Sequence, residues 1–291
     1  MKPVLKALAV AVALGLASHA RADDSNATIE QTGDSNVASI EQVGSSGASA
    51  AIFQTGNANT PAFDSLGLPM IRQNNAANSF VTVRQNGDLN TAYVEQLSVT
   101  GAEARIEQLG LQDRGFISQT SGESGFAGVY QGGAGCLDAS CESVFELGDS
   151  VNNNAAIVQD AGSRNTALTL QGGSGHQAFI QQADGDDNFG RLIQTGTGHV
   201  ADLRQGGLYC SASGCVELGA SSLSTTLAFQ VGAYNDLEIV QAGSGNFASA
   251  FQNGQGGIGE GNSAVIDQRG NGLTANLFQA GTLNHASITQ R

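Results

Sequence analysis

Apolar and polar residues alternate along most of this chain, and the alternation is punctuated every 11 or 12 residues by a glutamine. The recurring glutamines are Gln31, Gln42, Gln54, Gln73, Gln85, Gln96, Gln108, Gln119, Gln131, Gln159, Gln171, Gln182, Gln194, Gln205, Gln230, Gln241, Gln252, Gln268, Gln279 and Gln290. The residue two before each is Ile, Val or Leu, except at Thr169, Ala228 and Ala250. Four before is usually Ala, and two after is usually Gly. The unit reads Ala-x-Ile-x-Gln-x-Gly, as in Ala38-Ser39-Ile40-Glu41-Gln42-Val43-Gly44. A period of two predicts a strand, with the Ala, aliphatic and Gln positions on one face. Between them stand Glu30, Glu41, Arg72, Arg84, Glu95, Glu107 and Arg204, a mixed face that looks outward. Gly ends each strand with a sharp bend. A helix needs a period of 3.6, which these units do not offer.

One unit is a short strand plus a tight arc, so two units close a turn of roughly 22 residues. A single turn cannot bury its inner face, so turns must stack. The expected fold is all-β: a β-solenoid with two strands per turn and cross-β stacking. Two long gaps hold echoes of the motif with Glu in place of Gln, at Val144-Phe145-Glu146-Leu147-Gly148 and Glu217-Leu218-Gly219. Counting both gives 22 strands and about eleven turns. At ~4.8 Å per turn the rod is roughly 50 Å long. On that count the long arcs, Gln54 to Gln73, Gln131 to Glu146 and Gln252 to Gln268, all lead from an odd strand to an even one. Insertions at about 57–70, 133–143, 206–222 and 253–263 are therefore expected on one edge of the rod. Pro61 and Pro69 fall in the longest, where a missing N–H costs no ladder bond. If inward, Glu146 and Glu217 would be carboxyls on an amide ladder, with pKa raised by burial.

Charge and termini narrow the setting. Met1 to Ala22 reads as an export signal: Lys2 and Lys6, an apolar run from Ala7 to Ala17 too short to span a bilayer, and an Ala20-Arg21-Ala22 site cleaved after Ala22. The remaining 23–291 holds nine Arg and no Lys against 26 acidic residues, a formal charge of −17. That excludes a nucleic-acid partner, which needs a basic footprint. It also excludes electrostatic docking on anionic lipid. No later stretch is long and apolar enough to span a membrane, so a soluble exported protein is expected, where disulfides can form.

The repeat resembles the curlin repeat, S-x5-Q-x-G-x-x-N-x-A-x3-Q, of the curli amyloid subunits of Gram-negative bacteria. Ser25, Gln31, Gly33, Asn36, Ala38 and Gln42 match every fixed position, as do Ser79, Gln85, Gly87, Asn90, Ala92 and Gln96. Gln241 to Gln252 carries Gly243, Asn246 and Ala248, and Gln279 to Gln290 carries Gly281, Asn284 and Ala286. The resemblance implies a secreted β-solenoid that polymerises into cell-surface fimbriae serving adhesion and biofilm matrix. It implies as partners further copies of the chain, a second curlin subunit, an outer-membrane secretion pore and accessory factors. The chain departs from the family in having more repeats, in lacking an extended segment before Ser25, and in its four cysteines. Physics favours polymerisation too. Gln and Asn amides stacked in register, with Asn36, Asn90, Asn235, Asn246 and Asn284 among them, bond along the stack at ~1 kcal/mol each. With the repeat running from Ser25 to Gln290, both rod ends are expected to present unpaired strand edges. The net charge opposes assembly and is screened by salt. Asp34, Asp88 and Asp186 read either as gatekeepers or as plain turn residues.

Cys136 and Cys141 form a C-x4-C pair, as do Cys210 and Cys215, each just before a glutamate echo. Two local disulfides are the favoured reading. Cross-pairing, or one zinc held by four thiolates, would have to join sites roughly 14 Å apart. Gly254-Gln255-Gly256-Gly257-Ile258-Gly259 fits a phosphate-loop pattern but opens no helix, and chance explains it in a chain with 40 Gly. His176, His199 and His285 look scattered, and Asp186-Asp187 reads as a solvated turn. No catalytic set, cofactor or metal site is expected. The reading is a structural subunit rather than an enzyme, with a monomeric secreted binding module, using loops on one edge, as the alternative.

Overall fold

The computed structural model describes residues 24–61, 70–141, 143–211 and 214–291, and of 208–211 and 214–216 the backbone alone. The expected leader 1–22, its cleavage after Ala22, and Pro69 lie outside the described residues. Regular structure among the described residues is all strand. The chain is an all-β solenoid built on two parallel sheets, each with a continuous path of ten strands. Sheet I holds every odd-numbered ladder strand, from Asn26–Thr32 to Thr274–Ala280, and sheet II every even one, from Ile40–Val43 to His285–Gln290. The register is uniform: Gln31 lies over Gln54 and Gln54 over Gln85, while Gln42 lies over Gln73 and Gln73 over Gln96.

The period-two pattern determines what fills the gap between sheets. Ile52, Val83, Ile106 and Leu192 from sheet I meet Ile71, Val94, Ile117, Ile157, Ile180 and Leu203 from sheet II, all fully buried. Each such burial contributes roughly 1.5–3 kcal/mol. Alanines such as Ala104, Ala127 and Ala155 fill the inward positions at the strand starts. The space is tight there, since a Cβ at Gly115 would sit 2.9 Å from Ile106 Cγ2.

Among the described residues the stack has ten turns rather than about eleven, because the two glutamate echoes are not ladder strands. Gln131 pairs directly with Gln171, and Gln119 with Gln159. Val144–Gly148 instead folds antiparallel onto Gly133–Cys136, and Gly214–Gly219 onto Gly207–Ser211. Glu146 and Glu217 are exposed, so neither is a buried carboxyl on the ladder. The single-edge expectation falls with them. The hairpin after Gln131 leaves the arc from sheet I to sheet II, whereas the hairpin after Gln205 leaves the return arc, on the other edge. The first insertion is not in an arc at all. Thr60–Pro61 already pairs with Thr91–Ala92, and the strand resumes at Ile71–Asn74. Pro61 is accommodated in this ladder, where Thr60 N donates to Asn90 O at 2.9 Å.

The hairpins share one plan: Gln-Gly-Gly, a cysteine pair, then Glu-Leu-Gly. The first folds over the outer face of sheet I. It covers Tyr130, Leu168, Leu170 and Ile193, with Cys136, Leu137, Cys141 and Leu147 in the same cluster. Arg191 Nη1 donates to Leu137 O at 3.1 Å, and Phe145 meets Phe229 edge-on. Cys136 and Cys141 are disulfide-bonded. Cys210 and Cys215 sit opposite each other across the second hairpin, and their side chains lie outside the described residues.

Candidate assembly interface

The side chains that could join one copy to another are those that already join one turn to the next. Every ladder glutamine points inward. On sheet I each Nε2 donates to the Oε1 of the next turn, from Gln31 through to Gln279. On sheet II the same chain runs unbroken from Gln42 to Gln290. The N···O distances are 2.6 to 3.0 Å. Most second N–H groups reach a backbone carbonyl, as Gln108 does to Thr91 O at 3.0 Å. Each buried amide is thus satisfied within the stack, as burial of a polar group requires.

A third ladder lines the arc that leads from sheet I to sheet II. Its rungs are Asn36, Asn59, Asn90, Asp113, Asn153, His176, His199, Asn235, Asn262 and Asn284. Each side chain but the last accepts the backbone N–H of the next rung, at 2.9 to 3.2 Å. Of the asparagines expected from the repeat, Asn36, Asn90, Asn235 and Asn284 lie here, whereas Asn246 lies on the opposite edge, accepting Leu273 N. Sequence reasoning missed Asn59, Asn153, Asn262, Asp113 and both histidines. The signal was present. His176 and His199 each stand five residues after a ladder glutamine, as Asn36 does, and 23 residues apart, one turn.

Three rungs depart electrostatically. Asp113 is fully buried, and Oδ2 has no hydrogen-bond partner among the described residues. Burial pushes its pKa up from 3.8 to about 6, opposed by the N–H of Asn153. His176 is pushed down from 6.5 to about 4 by burial and by His199, and His199 is lowered by its own burial. The turn acids stitch neighbouring arcs on the outside: Asp88 Oδ1 accepts Asn57 N, and Asp186 Oδ1 accepts Ser163 N, both at 2.7 Å.

The ladders have a direction. Amide N–H groups point toward the last turn, so Gln31 and Gln42 hold acceptor oxygens at one end, and Gln279 and Gln290 hold amide nitrogens at the other. The Asn ladder runs oppositely, ending in Asn284 Oδ1. Ile29 (38% exposed) marks the partly open core at the first turn, and Ile288, partly buried, at the last. The family model of the curlin associated repeat matches residues 22–48, 76–110 and 259–291, about a third of the chain. No curated protein matches it.

Proposed function

The chain is a curlin-repeat protein, and on that footing we propose that it is a structural subunit of extracellular, curli-like amyloid fibres that grow by head-to-tail stacking. The observation that supports this most is the unbroken pair of glutamine ladders, which end in donors at one face and acceptors at the other. A second copy set one step beyond the last turn places Gln31 under Gln279, Gln42 under Gln290, and the N–H of Asn36 against Asn284 Oδ1. Leu277 then meets Ile29, and Ile288 meets Ile40, residue types that repeat the internal steps. The reverse docking sets acceptor against acceptor. Each correct bond contributes about 1 kcal/mol net, and unpaired strand edges template the rest.

Export through the leader 1–22 and a secretion pore, a second curlin subunit as co-partner, and roles in adhesion and biofilm matrix extend this reading by family likeness. The competing picture of a monomeric adhesin with loops on one edge loses its premise, since the two hairpins leave from opposite edges. The test is to follow thioflavin fluorescence of residues 23–291, with and without sonicated seeds, and to take fibre diffraction of the product. Seeded growth with reflections near 4.8 Å and ~10 Å is expected. A monomer that never seeds overturns the proposal.

A further inference from the structure

His176 and His199 have no role in joining copies, yet they are fully buried in the middle of the rod. Their rings stack 4.9 Å apart and 5° from parallel. Each stands in for an asparagine. His176 Nδ1 accepts His199 N at 3.2 Å, and His199 Nδ1 accepts Asn235 N at 3.1 Å. Each Nε2 faces the carbonyl four residues back, Gly172 O at 2.9 Å and Thr195 O at 3.1 Å. Asn235 Nδ2 and Asn284 Nδ2 donate to the same carbonyl position, at Val231 O and Ala280 O. A carbonyl only accepts, so Nε2 carries the hydrogen, and Nδ1, which accepts, carries none. The bonds therefore assign both rings as neutral.

An asparagine stays an acceptor at any pH, but an imidazole does not. A proton on Nδ1 would face a backbone N–H, ending that rung, and a second would set two cations one ring stack apart. We propose that the His176–His199 pair is an acid-labile joint in the rod, at which mild acid breaks two adjacent rungs that asparagine would hold.

The depressed values of both histidines agree in sign. The unfolded chain binds protons more readily than the folded one, so the contribution of His176 is complete above pH 6.5 and is lost as pH falls toward 4, and that of His199 is lost in the same direction. The inward positions of both sheets at these turns are Thr169, Leu192, Ile180, Leu203 and glutamines, which do not titrate there. Along the edge the next ionisable groups are Asp113, one rung beyond Asn153, and Tyr234 and Asp236, which flank Asn235. Asp113 acts against the joint, because its raised value makes protonation favour the fold in the same window. Replacing the histidines alone isolates their effect.

The test compares the full chain with the double variant H176N/H199N, which installs the edge's own residue. Urea unfolding of the dilute, unassembled chain is measured from pH 7 to pH 5. The wild-type folding constant should fall at least roughly tenfold relative to the variant. Matching pH profiles overturn the proposal. If the double variant does not fold, hydrogen exchange on the wild type decides: amides of His199 and Asn235 should lose protection in acid before those of Asn59 and Asn90, and uniform loss overturns it. Neither readout involves fibre growth, so the joint stands or falls separately from the proposed assembly.

Discussion

The two edges of the rod solve the same problem under different rules. Both must turn the chain and satisfy the backbone where it leaves a sheet. On the Asn edge, an acceptor occupies every rung, and the second residue after the glutamine is Gly33, Gly56, Gly87, Gly173, Gly196, Gly232 and Gly281 in turn after turn. On the opposite edge, Ser79, Asn165, Asn188, Ser224 and Asn246 accept the next turn's N–H, but Ala48, Ala102 and Gly125 offer no side-chain acceptor. The second residue there is also free to vary, with Asn75, Ser98, Ser121, Ala161 and Asp184 at φ of 48 to 56°. The contrast is steric. Gly87 sits at φ 119°, and a Cβ on it would collide with the carbonyl of Gly110 in the next turn, whereas Ser98 has an ordinary left-handed conformation. A strict consensus on one edge and a loose one on the other follow from where the stacked backbones touch.

Substitutions that swap the rules test this contrast. The largest effect is expected from Gly87→Ala, about 1–3 kcal/mol from backbone strain before the collision is counted. Ser98→Ala should change the urea midpoint little. Equal losses for the two would dissolve the distinction. Next comes Asn90→Ala, which strips the acceptor from the N–H of Asp113 and the donor from Gly110 O, and should cost about 2–3 kcal/mol. Ser79→Ala should cost about 1 kcal/mol, because that edge already tolerates alanine. The last effect is a gain. Asp113→Asn makes the Asn edge more uniform. The aspartate's folded pKa is about 6 against 3.8, so its protonated form is favoured, and this benefit is complete below pH 3.8 and lost as pH rises through 6. The variant should therefore be more stable at pH 7, with the advantage gone at pH 3.5. A variant no more stable at pH 7 would show that the buried carboxylate carries no penalty.

Much of this architecture was legible in the glutamine spacing. The period of two gave the strands, the interval of 11 or 12 gave the turn, and stacking gave the ladders. Partners were less legible. Val144-Phe145-Glu146-Leu147-Gly148 is a strand, as its pattern says, but periodicity names a strand without naming its neighbour, and this one pairs back on Gly133–Cys136. The parity of odd and even arcs offered no warning, because two misplaced strands shift it twice and restore it. The histidines were hidden for a chemical reason: their rungs are defined by an acceptor atom, which Asn, Asp and neutral His all supply. A search for repeated residue types passes over such positions, whereas a search for repeated acceptors finds them.

The hairpins also bear on how the chain finds its register. A ladder of near-identical rungs is prone to slippage, since moving one strand by a full turn replaces glutamine with glutamine and aliphatic with aliphatic. The chain between successive sheet I glutamines is 22 or 23 residues at five of the nine steps, but 31, 40, 36 and 27 where extra segments intervene. A slip at the 40-residue step would leave a hairpin where the next turn's backbone must lie, and would uncover Leu168, Leu170 and Ile193. The irregular segments thus serve as ratchet teeth, by which a repetitive chain counts its own turns.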